Sequence, residues 1–252
     1  MTTLVLALAA GTAVGLALGG LGGGGSVLAV PALIYLLGFA PAAATTAGLL
    51  IVIATSLTGL VAHAREGGVR WRTGGLFAAA GIVPAALAGA LSARIPPGAL
   101  TAAFAVLAVV AAARMIRPRP APADGNDATA DVSSGRAVGA GAGLGAVTGL
   151  LGVGGGFLAV PALVTVLALP MSTAVGTSLL VITVNSTAAL ATRLATPVPL
   201  DWAVIAPFTA AAVLGAWDGR RLAAKVSTHT LQRVFGAVLL AVAVFMLVDA
   251  VT

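Results

Sequence analysis

The sequence predicts an all-α polytopic membrane protein: two inverted repeats of five membrane segments each, with a short broken helix preceded by a glycine run in each repeat. Three observations lead there. Hydrophobic residues make up 60% of the 252 and charged residues 8%, and apolar runs of about twenty residues recur, the length that crosses a hydrocarbon core of ~30 Å. The stretch LGGGGSVLAVPAL at 21–33 returns as LGVGGGFLAVPAL at 151–163, identical at ten of thirteen positions. The basic residues separate cleanly across the membrane only if every segment crosses. The ten-residue alternating segments of a β-barrel do not occur.

The duplication extends beyond that stretch. Shifting the chain by 130 residues superposes Gly11, Gly15 and Gly19 on Gly141, Gly145 and Gly149, Pro31 on Pro161, and Ser56 on Ser186. Residues 1–116 form the first transmembrane repeat and 136–252 the second. Between them 117–135, RPRPAPADGNDATADVSSG, is a polar, proline-rich linker.

Taken in order, the first repeat offers apolar segments at 3–20, 26–38, 44–63, 73–93 and 98–116. The opening segment has no basic residues before its apolar stretch, so it is expected to be a retained helix, not a cleaved signal. The second repeat offers 136–151, 157–169, 173–193, 200–217 and 230–250. The segments 26–38 and 157–169 are short: thirteen helical residues reach only about 20 Å, and the glycines before each must complete the crossing. If they turn back instead, the thirteen Lys and Arg split eight to five. If they cross, only Arg94 and Arg193 lie apart from the other eleven, which places both termini outside and the linker in the cytoplasm. The chain is thus expected in the inner cell membrane of a bacterial-type cell.

Composition also excludes chemistry. With no cysteine, thiolate metal sites, disulfides and thiol catalysis are absent. The histidines, His63 and His229, stand in no HExxH context and are expected to be solvated at helix ends. No lysine follows GLGGGGS as a phosphate loop requires. No basic stripe with interleaved aromatics points to nucleic acid. No enzyme activity, metal or cofactor is expected, and the partners are the lipid bilayer and a small-molecule anion.

The anion follows from the glycine runs. Consecutive glycines have no helical face to pack; they permit a break and let amide N–H groups approach a ligand. A helix restarting at Ser26 or Phe157 aims its free N–H groups and positive dipole end into the cavity, which suits an anion. Inverted repeats with interrupted helices place such sites near the bilayer midplane. The candidate binding residues are Gly22, Gly24, Gly25 and Ser26 in the first repeat, and Gly152, Gly154, Gly155, Gly156, Thr177, Ser178 and Asn185 in the second. Gly11, Gly15 and Gly19, spaced by four, read instead as a packing face. Most intramembrane Ser and Thr bond their own helix; a mid-span amide such as Asn185 needs a partner, as interhelical glue or as ligand donor.

Where the duplicated glycine-proline elements meet AVGTSLLVITVNS at 174–186, the chain resembles the TauE/SafE family, the sulfite exporter or toluene sulfonate uptake permeases. Gly22, Gly24, Gly25, Pro31, Gly152, Gly154, Gly155, Gly156 and Pro161 match its motif elements; in the first repeat, ATTAGLLIVIATS departs from the fuller second copy. The resemblance implies a secondary transporter, an exporter of sulfite or organosulfonates working by alternating access. The alternatives are a transporter of another small organic anion or amino acid, or a passive anion channel.

Overall fold

The computed structural model describes residues 2–21, 24–92, 96–116, 134–151, 156–193 and 198–251. Among them the chain forms ten α-helices and no strand: α1 (Thr2–Leu21), α2 (Gly24–Pro31), α3 (Pro41–Arg65), α4 (Trp71–Ser92), α5 (Pro97–Ile116), α6 (Ser134–Leu151), α7 (Gly156–Thr165), α8 (Met171–Arg193), α9 (Trp202–Ala223) and α10 (Thr228–Val251). A π-helical turn, Ala32–Leu36, continues α2. Among the described residues four helices are long and apolar enough to cross a bilayer, at Thr2–Leu21, Ala42–Arg65, Met171–Ala191 and Trp202–Ala223. Gly22, Gly152, Gly154, Gly155 and most of the linker lie outside the described residues.

Small residues determine which helices meet. A Cβ on Gly11, Gly15 or Gly19 would fall on the carbonyl oxygen of Phe208, Ala212 or Ala216. The partner advances by four at each step, so α1 and α9 run parallel. α9 reciprocates with Gly215 and Gly219, which face Thr12 and Leu16. The same construction joins α4 and α6, where Gly141 faces Phe77 and Gly145 faces Gly81. Lipid tails are as apolar as leucine, so helix association in a membrane depends on such close backbone approach.

α3 and α8 cross in the opposite sense. The Ser56 and Thr183 hydroxyls are 2.9 Å apart, Gly59 faces Leu179, and Gly176 faces His63. One number rises as the other falls, so the pair is antiparallel. α5 packs on α10, and α2 and α7 touch each other within the bundle.

Positions 130 apart share their environments. Ala29 and Ala159, Leu33 and Leu163, Ala44 and Ala174, and Ile51 and Val181 are all buried. The turns that leave the short helices also match: the Phe39 N–H donates to the Leu33 carbonyl at 3.0 Å, and that of Leu169 to Leu163 at 3.1 Å. Gly38 and Ala168 both take positive φ there, +69° and +55°; the left-handed region costs nothing at glycine and strains alanine.

The outside of the bundle is apolar, with Val5, Val83, Leu87, Val106, Leu214 and Val244 exposed, as a lipid-facing surface requires. Trp71 and Trp202 are exposed at the starts of α4 and α9, where an indole suits the water–lipid boundary.

Two local expectations are corrected. α9 does not stop near 217 but continues to Ala223, carrying Arg220 and Arg221 in its last turn; cations there oppose the negative end of the helix dipole. His63 is not solvated. It is half-buried under the α3–α4 turn, its Nδ1 3.0 Å from the Gly59 carbonyl oxygen, because Gly68 and Gly176 let neighbouring backbone close over the ring.

Candidate functional site

The three second-repeat candidates with side chains, Thr177, Ser178 and Asn185, lie on α8 and divide by what they touch. Thr177 is fully buried and accepts a hydrogen bond from the Arg70 N–H at 3.1 Å, tying α8 to the connection between α3 and α4. Ser178, also fully buried, donates to the Val175 carbonyl at 2.7 Å. Both hydroxyls therefore serve the scaffold in this structure. Seven residues, about two helical turns, separate Ser178 from Asn185 on one face of α8.

Asn185 is different. Its Oδ1 is buried and has no hydrogen-bond partner among the described residues. The same is true of the Ser186 Oγ, whose residue is 2% exposed. A buried polar atom without a partner costs free energy, about 1–3 kcal/mol, and marks a place where a water or ligand completes the bonding. Other hydroxyls in these helices satisfy themselves: Thr55 donates to Ile51, Thr183 to Leu179 and Thr187 to Thr183, each at 2.7 Å.

The antiparallel register explains why Ser186 is unpaired. Gly176, Leu179 and Thr183 face α3 at His63, Gly59 and Ser56, and Ser186 continues that stripe by a turn to the level of Ile53. Isoleucine offers no hydrogen bond. At the related place Ser56 finds Thr183, because the second copy carries threonine where the first carries Ile53. Ser186 was absent from the candidate residues. The signal was present in the sequence as an Asn-Ser pair mid-span, but only the register reveals which hydroxyl lacks a partner.

Of the glycine-run candidates, Gly24, Gly25 and Ser26 occupy the first turn of α2, and Gly156 opens α7. Gly22, Gly152, Gly154 and Gly155 lie outside the described residues. Leu21, ending α1, and Leu158, in the first turn of α7, belong to one buried cluster. The end of α1 thus shares its core with the start of α7.

At one end of the bundle charges meet. Arg220 donates to Glu66 Oε1 across the space between α9 and the α3–α4 turn, and its guanidinium lies 5.7 Å from the Trp217 ring centroid. That hydrogen bond holds the Glu66 carboxyl below its ordinary pKa. Among the described residues no group of His, Asp and Glu is arranged to hold a metal ion.

A bundle of apolar helices with short internal helices, a lipid-facing exterior and unpaired polar atoms between spans defines a multi-pass membrane protein of the transporter class. The chain belongs to the sulfite exporter TauE/SafE family, which it matches over residues 7–246. It is similar to two proteins of Xylella fastidiosa, each named a probable membrane transporter protein. The one from strain 9a5c is 35% identical over 97% of this chain and 95% of its own length. The one from strain Temecula1 is 34% identical over the same shares. No solved structure matches the chain. It is accordingly a membrane transporter, not an enzyme.

Proposed function

We propose that the protein is a secondary transporter exporting small sulfur-containing anions, sulfite or organosulfonates, by alternating access between two inverted five-segment repeats. The inversion is supported by the helix pairs. α1 lies parallel to α9 and α6 parallel to α4, so the first helix of each half packs on the fourth of the other, while the two third helices are antiparallel. A chain whose short segments turned back would run α3 and α8 in the same direction. The Glu66–Arg220 pair also requires those two loops to share a face, which agrees with the eleven-to-two charge split and a cytoplasmic linker.

The substrate reading rests on one observation above the others: two successive residues of α8, Asn185 and Ser186, each carry a buried side-chain oxygen without a partner among the described residues. The Ser186 hydroxyl is a donor able to serve a sulfonyl oxygen, and turning the Asn185 amide over puts its nitrogen, also a donor, where the acceptor Oδ1 now lies unpaired. The helix starts at Gly24 and Gly156 add backbone N–H groups and the positive ends of two dipoles. The family's description, sulfite exporter, names an anion that fits this chemistry.

The test is flux in proteoliposomes across sulfite, sulfate, thiosulfate, sulfoacetate and taurine. Saturable uptake of sulfite or a sulfonate, accelerated by the same anion on the opposite side, is the expected result. Current proportional to driving force without saturation means a channel, and preference for an amino acid or carboxylate moves the substrate class.

A further inference from the structure

A groove of 390 Å³ runs along the outside of the bundle between α5, α6 and α7. Val110, Ala140, Gly143, Val147 and Leu158 line it, and among the described residues Arg114 is the one charged side chain on its wall. Gly143 faces open space: a Cβ there meets nothing within 4 Å. Arg136 does not itself line the groove but lies one turn before Ala140 on the same face of α6, within a long side chain's reach of it. Both arginines are exposed, and neither pairs with an acidic side chain among the described residues.

We propose that this groove binds one anionic phospholipid, its acyl chain against Val110 and Val147 and its phosphate held by Arg114 and Arg136. The groove is apolar along its length and cationic at one end, the polarity of a phospholipid. The corresponding positions of the other repeat strengthen the argument. Arg114 is matched there by Val244 and Arg136 by Leu6, so the related place carries no charge. On the topology proposed above, the arginine mouth opens to the cytoplasmic leaflet, whose surface potential is negative, and its uncharged relative to the outer one. Only the choice of leaflet rests on that topology; binding in detergent is indifferent to it.

The experiment is native mass spectrometry of delipidated protein offered equimolar phosphatidylglycerol and phosphatidylcholine with identical acyl chains. One phosphatidylglycerol is expected per chain, favoured about tenfold or more. Gly143→Leu fills the groove and should abolish retention, and Val110→Phe, from the opposite wall, should act likewise. Gly75→Leu, the same change at an open position away from the groove, should retain the lipid. In the doubly substituted Arg114→Gln, Arg136→Gln protein the headgroup preference should vanish. Equal retention of both lipids by the wild type, or full retention in both groove-filled variants, overturns the proposal. Because no substrate is involved, the result stands whatever anion the protein carries.

Discussion

The Arg220 guanidinium donates to the Glu66 carboxylate, joining the last turn of α9 to the turn between α3 and α4, 154 residues away in sequence. Such a pair contributes little to stability, because the Glu66 side chain is 61% exposed and water screens it. Its value is topological, since two residues that touch lie on the same side of the membrane.

Introducing cysteine at both positions therefore tests the architecture. The chain has no cysteine of its own, so Glu66→Cys with Arg220→Cys should cross-link within one chain in intact membranes on treatment with a short bis-maleimide. A fluorescent reporter folding only in the cytoplasm, fused after Thr252, should stay dark. Absence of the cross-link together with a bright reporter would restore the arrangement in which the short helices turn back.

The pair also predicts a pH dependence. The Glu66 pKa is lowered in the folded state, chiefly by the hydrogen bond from Arg220. The stabilisation is therefore fully present above the carboxylate's unfolded pKa and disappears as pH falls through the lowered folded value. Glu66→Gln should cost less than about 1 kcal/mol near neutrality. Melting curves of wild type and variant should converge in acid; a gap that widens there contradicts the assignment.

The glycine faces predict a sharp contrast within one residue type. Gly15→Ala and Gly145→Ala place a Cβ on the backbone of Ala212 and Gly81 and must push two helices apart, costing about 1–3 kcal/mol or more. Gly143→Ala, which meets nothing within 4 Å, should be neutral. Thermal unfolding in detergent decides it, and equal melting temperatures for Gly15→Ala and Gly143→Ala would count against the parallel packing.

Between the third helices, Thr183→Val removes the hydroxyl that meets Ser56 and should cost about 0.6 kcal/mol, the usual worth of such a bond in a membrane. Ser186→Ala removes an atom without a partner and should leave stability unchanged or raised. If Ser186 contacts substrate, the same change weakens anion binding. A loss of stability with unaltered binding would make Ser186 structural.

The all-helical, membrane-spanning character was legible in the sequence because membrane helices declare themselves by length. Ten segments and the packing role of Gly11, Gly15 and Gly19 followed from spacing alone. Spacing could not name the partner of that face, since any small-residue stripe fits another; only the structure places Phe208, Ala212 and Ala216 against it. Asn185 stood apart as an amide, but Thr177, Ser178 and Ser186 look alike as hydroxyls on one apolar helix, and their difference lies in register: Thr177 meets the Arg70 N–H while Ser186 lies level with Ile53. Arg220 looked like a loop residue because its charge masks the aliphatic stem that lets α9 continue past Trp217.

The proposed anion site draws on the helix starts of α2 and α7, and binding of sulfite to purified, correctly folded protein probes it without further assumption. Wild type should bind, Gly24→Val and Gly155→Val should each abolish binding, and Asn185→Ala should weaken it roughly ten- to a hundredfold, the worth of one hydrogen bond to a charged ligand. Wild-type affinity in both glycine variants would place the anion elsewhere in the protein.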